Sequence, residues 1–297
     1  MISANTGIRA EEVRFQSQHV LFVEGKDQNS IDPEVLKELF NRNIRIETLG
    51  PSYSVRSVAE ALHIHHPTYY FLIDRDHHDD NFVDRCWNNF PDTNTHNLLI
   101  WRRREIENYF LEPEYLFHSK HCRVSEGELE RMILQFANER LYLDAANYVV
   151  ISIREELKRN WIQIFSNPED FSDKESALQK LIGASEFDQH RENVNQKVSA
   201  DEVIRLFQEY LEIMAGGQEQ ISIGIGNWLH MIQGKKILAQ VIHSNCFQVR
   251  ASDGTQVTGK EKINEVVKSL LRVDPSILPT DFVDLKELID TRIDGVS

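Results

Sequence analysis

The chain has 297 residues and a formal net charge of −14, with 41% hydrophobic and 27% charged residues. That length allows one large domain or two smaller ones, and the composition is that of a globular protein. The acidity argues against a non-specific nucleic-acid coat, whose affinity comes from neutralising phosphate. It is compatible with an enzyme carrying local cations, with a basic protein partner, or with solubility alone.

No apolar run approaches the roughly 18 residues of a transmembrane helix. The segment MISANTGIRAEEVRF has no apolar core of the signal-peptide kind. Cys86, Cys122 and Cys246 are scattered without paired spacing. This speaks against a disulfide framework or a zinc cluster and leads us to expect a reducing, cytoplasmic setting.

Residues 19–118 alternate in the α/β manner. HVLFV (19–23) reads as a buried strand, and Pro33 opens the periodic stretch PEVLKELFNR, proline being tolerated at a helix start. IRIETL (44–49) reads as a second strand and SVRSVAEALHI (54–64) as a helix. TYYFLID (68–74) and HNLLIW (96–101) read as two further strands, and REIENYFLEPEYLF (104–117) as a helix interrupted at Pro113. Strand–helix–strand spacing of this kind predicts a mostly parallel sheet.

Beyond about residue 120 strand-like runs become rare. SEGELERMILQFANERL (125–141), NYVVISIREELKRNWIQIF (147–165) and SADEVIRLFQEYLEIM (199–214) have helical periodicity. Ser125 with Glu128 forms a capping-box pattern. GNWLHMIQGKKILAQVI (226–242) is a helical candidate weakened by Gly234, and helical pieces follow around 262–273 and 281–293. The polar stretch 166–198 reads as a loop. The expected organisation is therefore an α/β domain over 1–118 and a mainly helical region over 119–297 packing on it.

Two of the predicted strands end abruptly in carboxylates. Glu24 follows the first and is itself followed by Gly25, while Asp74 and Asp76 end the third. Carboxyl ends of parallel strands are where ligands bind, and hard oxygen ligands suit Mg²⁺ or Mn²⁺ with phosphate. Asp74 and Asp76 alternate onto one face if the chain stays extended, and like charges so placed repel unless a cation offsets them. Taken singly, each aspartate reads as a cap of the following helix.

Arg102, Arg103 and Arg104 precede Glu105 and Glu107. The run is either an exposed ion-pair surface or a phosphate grip beside a further ligand, Glu107. His63, His65, His66, His77 and His78 match no zinc spacing, although His77 and His78 lie just beyond Asp76. Gly234-Lys235-Lys236 lacks the rest of a phosphate-binding loop, so ATP hydrolysis is not expected.

These motifs resemble the TOPRIM domain of topoisomerases, primases and OLD-family nucleases. The resemblance covers residues 18–118 and rests on VEG at 23–25, DRD at 74–76 and their spacing. It implies divalent-metal ligation by Glu24, Asp74 and Asp76. WRRREIENYFLEPEYL (101–116) looks specifically like the OLD branch, which implies Glu107 as an added ligand. NWLHMIQGKKIL is similar to the Gly-Lys region of such proteins and makes Lys235 a candidate catalytic lysine. The chain also resembles the stand-alone TOPRIM effectors of PARIS anti-phage systems, which work beside a separate ATPase.

It departs from the pattern at two places. Gln28 stands where many members have an acid, with Asp27 one residue earlier. His78 replaces a third acid, with Asp79 and Asp80 following. The resemblance implies an Mg²⁺- or Mn²⁺-dependent nuclease acting on RNA such as tRNA, or on DNA, as a toxic defence effector held by its ATPase partner. A homodimer fits the commonest assembly symmetry, and no membrane association is expected. Gln28 keeps a non-cleaving, metal-holding regulatory module open as an alternative. A primase-like phosphotransfer enzyme is a third, disfavoured because no zinc module or polymerase companion is evident.

Overall fold

A four-residue apolar run, Val20–Val23, forms strand β1 and is buried along its whole length, as expected for a strand with both faces covered. A computed structural model describes residues 19–25, 31–41, 44–90, 96–159 and 167–294. β1 pairs in parallel with β2 (Arg45–Thr48) on one side and β3 (Tyr69–Ile73) on the other; β4 (Leu98–Ile100) pairs with β3. The order β2-β1-β3-β4 makes an all-parallel, four-stranded sheet. The chain is thus α/β, with a Rossmann-like strand arrangement.

Helix α1 (Asp32–Leu39) connects β1 to β2, α2 (Ser52–Leu62) connects β2 to β3, and α3 (Asp80–Asn88) connects β3 to β4. Proline in the first turn of α1 fits the sequence reading. Helix α3 was not foreseen. Its N-cap is Asp79, whose side chain accepts from the Phe82 N–H at 2.9 Å. The capping duty considered for Asp74 and Asp76 therefore falls to a different aspartate.

The segment expected as an interrupted helix is a 3₁₀ stretch, Ile106–Leu111, followed by the short α4 (Pro113–Phe117), which Pro113 starts rather than breaks. The two helices expected over 125–141 and 147–165 are one continuous element, α5 (Glu126–Arg159), and residues 160–165 of that prediction lie outside the described residues. Ser125 and Glu128 make the expected reciprocal cap, the Glu128 carboxylate accepting from the Ser125 N–H at 3.0 Å.

The supposed loop 166–198 carries a 3₁₀ turn (Pro168–Phe171), α6 (Lys174–Ile182) and α7 (Ser185–Lys197). Asp173 caps α6 by accepting from the Glu175 and Ser176 N–H groups. α8 (Ala200–Ala215) follows, capped by Ser199 and ending at Gly216. The run 226–242 divides into α9 (Trp228–Met231) and α10 (Gly234–His243). α11 (Gly259–Leu270) and α12 (Thr280–Asp294) complete the chain. No helix among the described residues is long and apolar enough to cross a membrane.

Two compact units divide the chain, and neither boundary lies at residue 118. One takes in the described residues up to Ala137 together with those from Leu229 onward; the other is Asn138–Trp228. In the first unit α11 packs on α1, and α10 packs on the 3₁₀ stretch. The packing around α12 is aromatic. The Phe282 ring, fully buried, lies 5.7 Å from Trp101, 5.1 Å from Tyr109 and 5.7 Å from Phe110 between centroids. In the second unit the Asn138 side chain clamps Ile221, accepting from its N–H at 2.7 Å and donating to its carbonyl at 3.3 Å.

Candidate functional site

Strand order reverses between β1 and β3: the chain leaves β1 in one direction to form β2 and returns past it to form β3. In open parallel sheets such a switch point, at the carboxyl ends of the strands, is where ligands enter. Glu24 directly follows β1, and its N–H donates to the Leu72 carbonyl of β3 at 3.3 Å. Asp74 directly follows β3. The two carboxylates thus flank the switch point.

Gly25 takes a φ of 134°, in the region open to glycine. It exchanges two main-chain hydrogen bonds with Gly50, at 2.8 and 3.0 Å, which fix the turn after β1 to the turn after β2. α2 begins just beyond. The main-chain N–H groups of Ser52, the first residue of α2, and of Asp74 draw on the Glu24 carboxylate and favour its charge. Ser52 supplies one of the donors that a helix start leaves without an intrahelical partner. Burial and the Asp76 charge act the other way and raise the Glu24 pKa from its ordinary value.

Each carboxylate keeps one buried oxygen, Glu24 Oε2 and Asp74 Oδ1, with no hydrogen-bond partner among the described residues. Burial pushes Asp74 well above the carboxylate range, and Asp32, Glu107, Glu24 and Glu105 push it further. Glu107, 6% exposed, rises to about 8 through burial and then through Asp32 and Glu105. Glu105 is raised by burial and restrained by the Lys235 N–H and by the charges of Arg104 and Lys235.

Asp32, the first residue of α1, is 9% exposed and appears among the acids acting on Glu24, Asp74 and Glu107. The sequence reading missed it because it follows no strand and looks like an ordinary first-turn acid.

Asp76 does not stand beside Asp74 on an extended chain. β3 ends at Ile73, and Asp76 takes a φ of 47°, so the alternation argument fails. A non-glycine residue in the left-handed region is uncommon, aspartate being among the more tolerant. The turn leaves Asp76 exposed at the rim, where its charge still reaches Glu24, Glu105 and Arg56.

Lys235 arrives from the far end of the sequence. Its N–H donates to Glu105 Oε2 at 2.9 Å, so Glu105 sits on the first turn of α10, where the helix dipole favours an anion. The approach depends on Gly234. A Cβ there would lie 2.3 Å from Asn108 Oδ1 and 2.9 Å from the Asn108 nitrogen. Asn108 in turn donates to the Leu229 and Ile232 carbonyls, at 2.9 Å each, and accepts from the Glu105 N–H at 3.2 Å. The Ile-Glu-Asn-Tyr segment is therefore the clamp that holds the Gly-Lys turn against the acidic edge.

The three arginines divide. Arg102 pairs with Asp281 and with Asp284 at 2.9 Å, and its guanidinium lies 4.1 Å from the Trp87 ring centre. Arg103 pairs with Glu112 and donates to the Asn108 carbonyl at 3.0 Å. Both side chains are engaged in packing the 3₁₀ stretch and α12. Arg104 donates to the Met231 carbonyl at 2.8 Å and lends its charge to Glu105.

No protein-family model, curated protein or solved structure matches the chain. Its chemistry must be argued from the site. Among the described residues, no group of three or more His, Cys, Asp and Glu side chains could hold a metal ion. Glu24, Asp74, Asp76 and Glu107 are thus coupled by charge without forming a ready-made cage. Mg²⁺ commonly binds through one or two carboxylates, with waters and phosphate oxygens completing its shell. The pair of buried oxygens on Glu24 and Asp74 suits such a two-carboxylate mode. Asp27 and Gln28, on which the expected second metal position turned, lie outside the described residues.

Proposed function

We propose that this chain is a metal-dependent phosphodiesterase acting on nucleic acid, built on a TOPRIM-type α/β domain. The observation that carries this reading is the pair of buried oxygens, Glu24 Oε2 and Asp74 Oδ1, which have no hydrogen-bond partner among the described residues and lie at the carboxyl ends of neighbouring parallel strands. Buried polar atoms are nearly always satisfied, so two orphans at a ligand-binding edge call for a cation. Glu24 and Asp74 would hold Mg²⁺ or Mn²⁺, with Asp76 and Glu107 contributing to a second position. Bound there, the metal supplies charge to polarise the scissile phosphate and an activated water at neutral pH.

The chain's own groups supply the rest. Glu107, raised to about 8, keeps its proton near neutrality until a cation replaces it. Glu105 fixes the first turn of α10 and thereby brings Lys235 to the acidic edge, where a lysine would offset phosphate charge in the transition state. The buried strand ends exclude water from one side of the carboxylates, which strengthens each electrostatic contact.

The resemblance of VEG, DRD and the Ile-Glu-Asn-Tyr segment extends the proposal to a toxic anti-phage effector cutting RNA such as tRNA, or DNA, under a separate ATPase partner. A second reading, a metal-holding module that does not cleave, draws on the lack of a three-ligand group among the described residues. The test offers total RNA, tRNA, plasmid and single-stranded DNA with Mg²⁺ or Mn²⁺ to the native chain and to Glu24→Ala and Asp74→Ala. Cleavage by the native chain alone supports the enzyme. Metal-dependent binding without cleavage, with the ATPase partner present as well as absent, supports the module.

A further inference from the structure

The side chains of Arg102 and Arg103, expected as a phosphate grip, are already committed to Asp281, Asp284 and Glu112. Another guanidinium faces the acids. Arg56 lies one turn into α2, four residues after Ser52, and residues so spaced share a helix face. The main-chain N–H of Ser52 is directed at Glu24, which sets the start of α2 beside the end of β1.

Arg56 feels the charges of Asp76 and Glu24, and burial opposes its own charge. Its Nη2 donates to the ring of His78, two residues beyond Asp76. Arg56 Nε is buried and has no hydrogen-bond partner among the described residues.

Arginine stays charged and presents its donors as a rigid fork suited to phosphate. Here one arm of that fork is fixed by His78 while Nε is unused.

We propose that Arg56 is the phosphate-binding cation of this site, its guanidinium, oriented by His78, donating to a non-bridging oxygen of the nucleic-acid phosphodiester held beside Glu24 and Asp74. This rests on the phosphodiesterase reading above. It makes Arg56 a substrate-binding residue and His78 a positioning residue. The arginine and the metal then approach one phosphate from the α2 side and the sheet edge respectively.

The test measures two affinities on the full chain. Mg²⁺ binding is followed by calorimetry. Binding of fluorescein-labelled single-stranded RNA and DNA 20-mers is followed by anisotropy, with Ca²⁺ replacing Mg²⁺ to suppress cleavage. Native protein, Arg56→Ala, Arg56→Lys and His78→Ala are compared.

Arg56→Ala is expected to weaken oligonucleotide binding about tenfold or more, the scale of a charge-assisted hydrogen bond. Mg²⁺ affinity should stay the same or tighten, because a neighbouring positive charge has gone. Arg56→Lys should recover only part of the loss, since the charge returns without the fork. His78→Ala should weaken oligonucleotide binding less than Arg56→Ala.

Native oligonucleotide affinity in Arg56→Ala overturns the proposal. So does a parallel loss of Mg²⁺ and oligonucleotide, which marks a scaffold role. A native chain whose Mg²⁺ titration is silent fails the phosphodiesterase reading itself, and the proposal with it.

Discussion

At the residue scale, a buried oxygen without a donor costs roughly 1–3 kcal/mol, and Glu24 and Asp74 each carry one. Asp74→Asn removes, at nearly constant volume, the buried charge and its repulsion from Asp32, Glu107, Glu24 and Glu105. It is expected to raise the melting temperature of the metal-free protein by about 2–4 °C for each kcal/mol recovered, while abolishing cleavage. A variant that melts and cleaves like the native chain would remove Asp74 from the site. The same groups set a pH dependence. Asp74, Glu107, Glu24 and Glu105 are all raised, burial being the largest cause in each. Unfolded carboxylates titrate near 4. Between there and the raised native values the folded state binds more protons than the unfolded one, so stability falls as pH rises. For Glu107 that window reaches about 8. Thermal scans of the metal-free protein should therefore show a lower melting temperature near the top of the window than near its foot. Added Mg²⁺ should release protons on binding and stabilise most at the higher pH; a flat profile would count against buried carboxylates at the centre of the site.

At the scale of elements, the site is assembled by packing that joins distant parts of the chain. Phe282→Ala empties a fully buried aromatic position against Trp101, Tyr109 and Phe110, and a loss of about 3–5 kcal/mol is expected in denaturant unfolding. Gly234→Ala drives a methyl into Asn108. It should cut activity through displacement of Lys235 while leaving Mg²⁺ affinity near native; unchanged activity would mean that the Gly-Lys turn is not part of the chemistry. These elements were unevenly legible in the sequence. β1, β3 and β4 could be read because each is a short apolar run, and β2 because apolar and polar residues alternate along IRIETL. Glu24 and Asp74 could be read because they interrupt such runs. Asp32, Arg56 and Asn108 could not, since each looks like an ordinary helical or turn residue until strand order brings it to the edge. α6 and α7 read as a loop in the sequence, and neither has a buried residue among those described. A helix without an apolar stripe leaves little periodic signal, and the Asp173 cap is a weaker cue.

At the scale of the whole molecule, a net charge of −14 opposes the approach of a polyanion. Raising salt from about 0.01 to 0.15 M shortens the screening length from about 30 to 8 Å. Oligonucleotide association with the native chain should therefore quicken over that range, opposite to the usual behaviour of basic nucleic-acid binders; stopped-flow anisotropy would reveal the sign. The division into two units also has a temporal meaning. The sheet-bearing unit is interrupted in sequence by Asn138–Trp228, so a ribosome finishes the intervening unit before delivering Lys235 and Phe282. At about 5–20 residues per second, Phe110 waits roughly 9–34 s for the ring that covers it. A nascent chain released between residues 138 and 228 carries Glu24, Asp74 and Glu107 but neither Lys235 nor the Phe282 ring, so translation interrupted there yields a product without the complete acidic edge and its lysine.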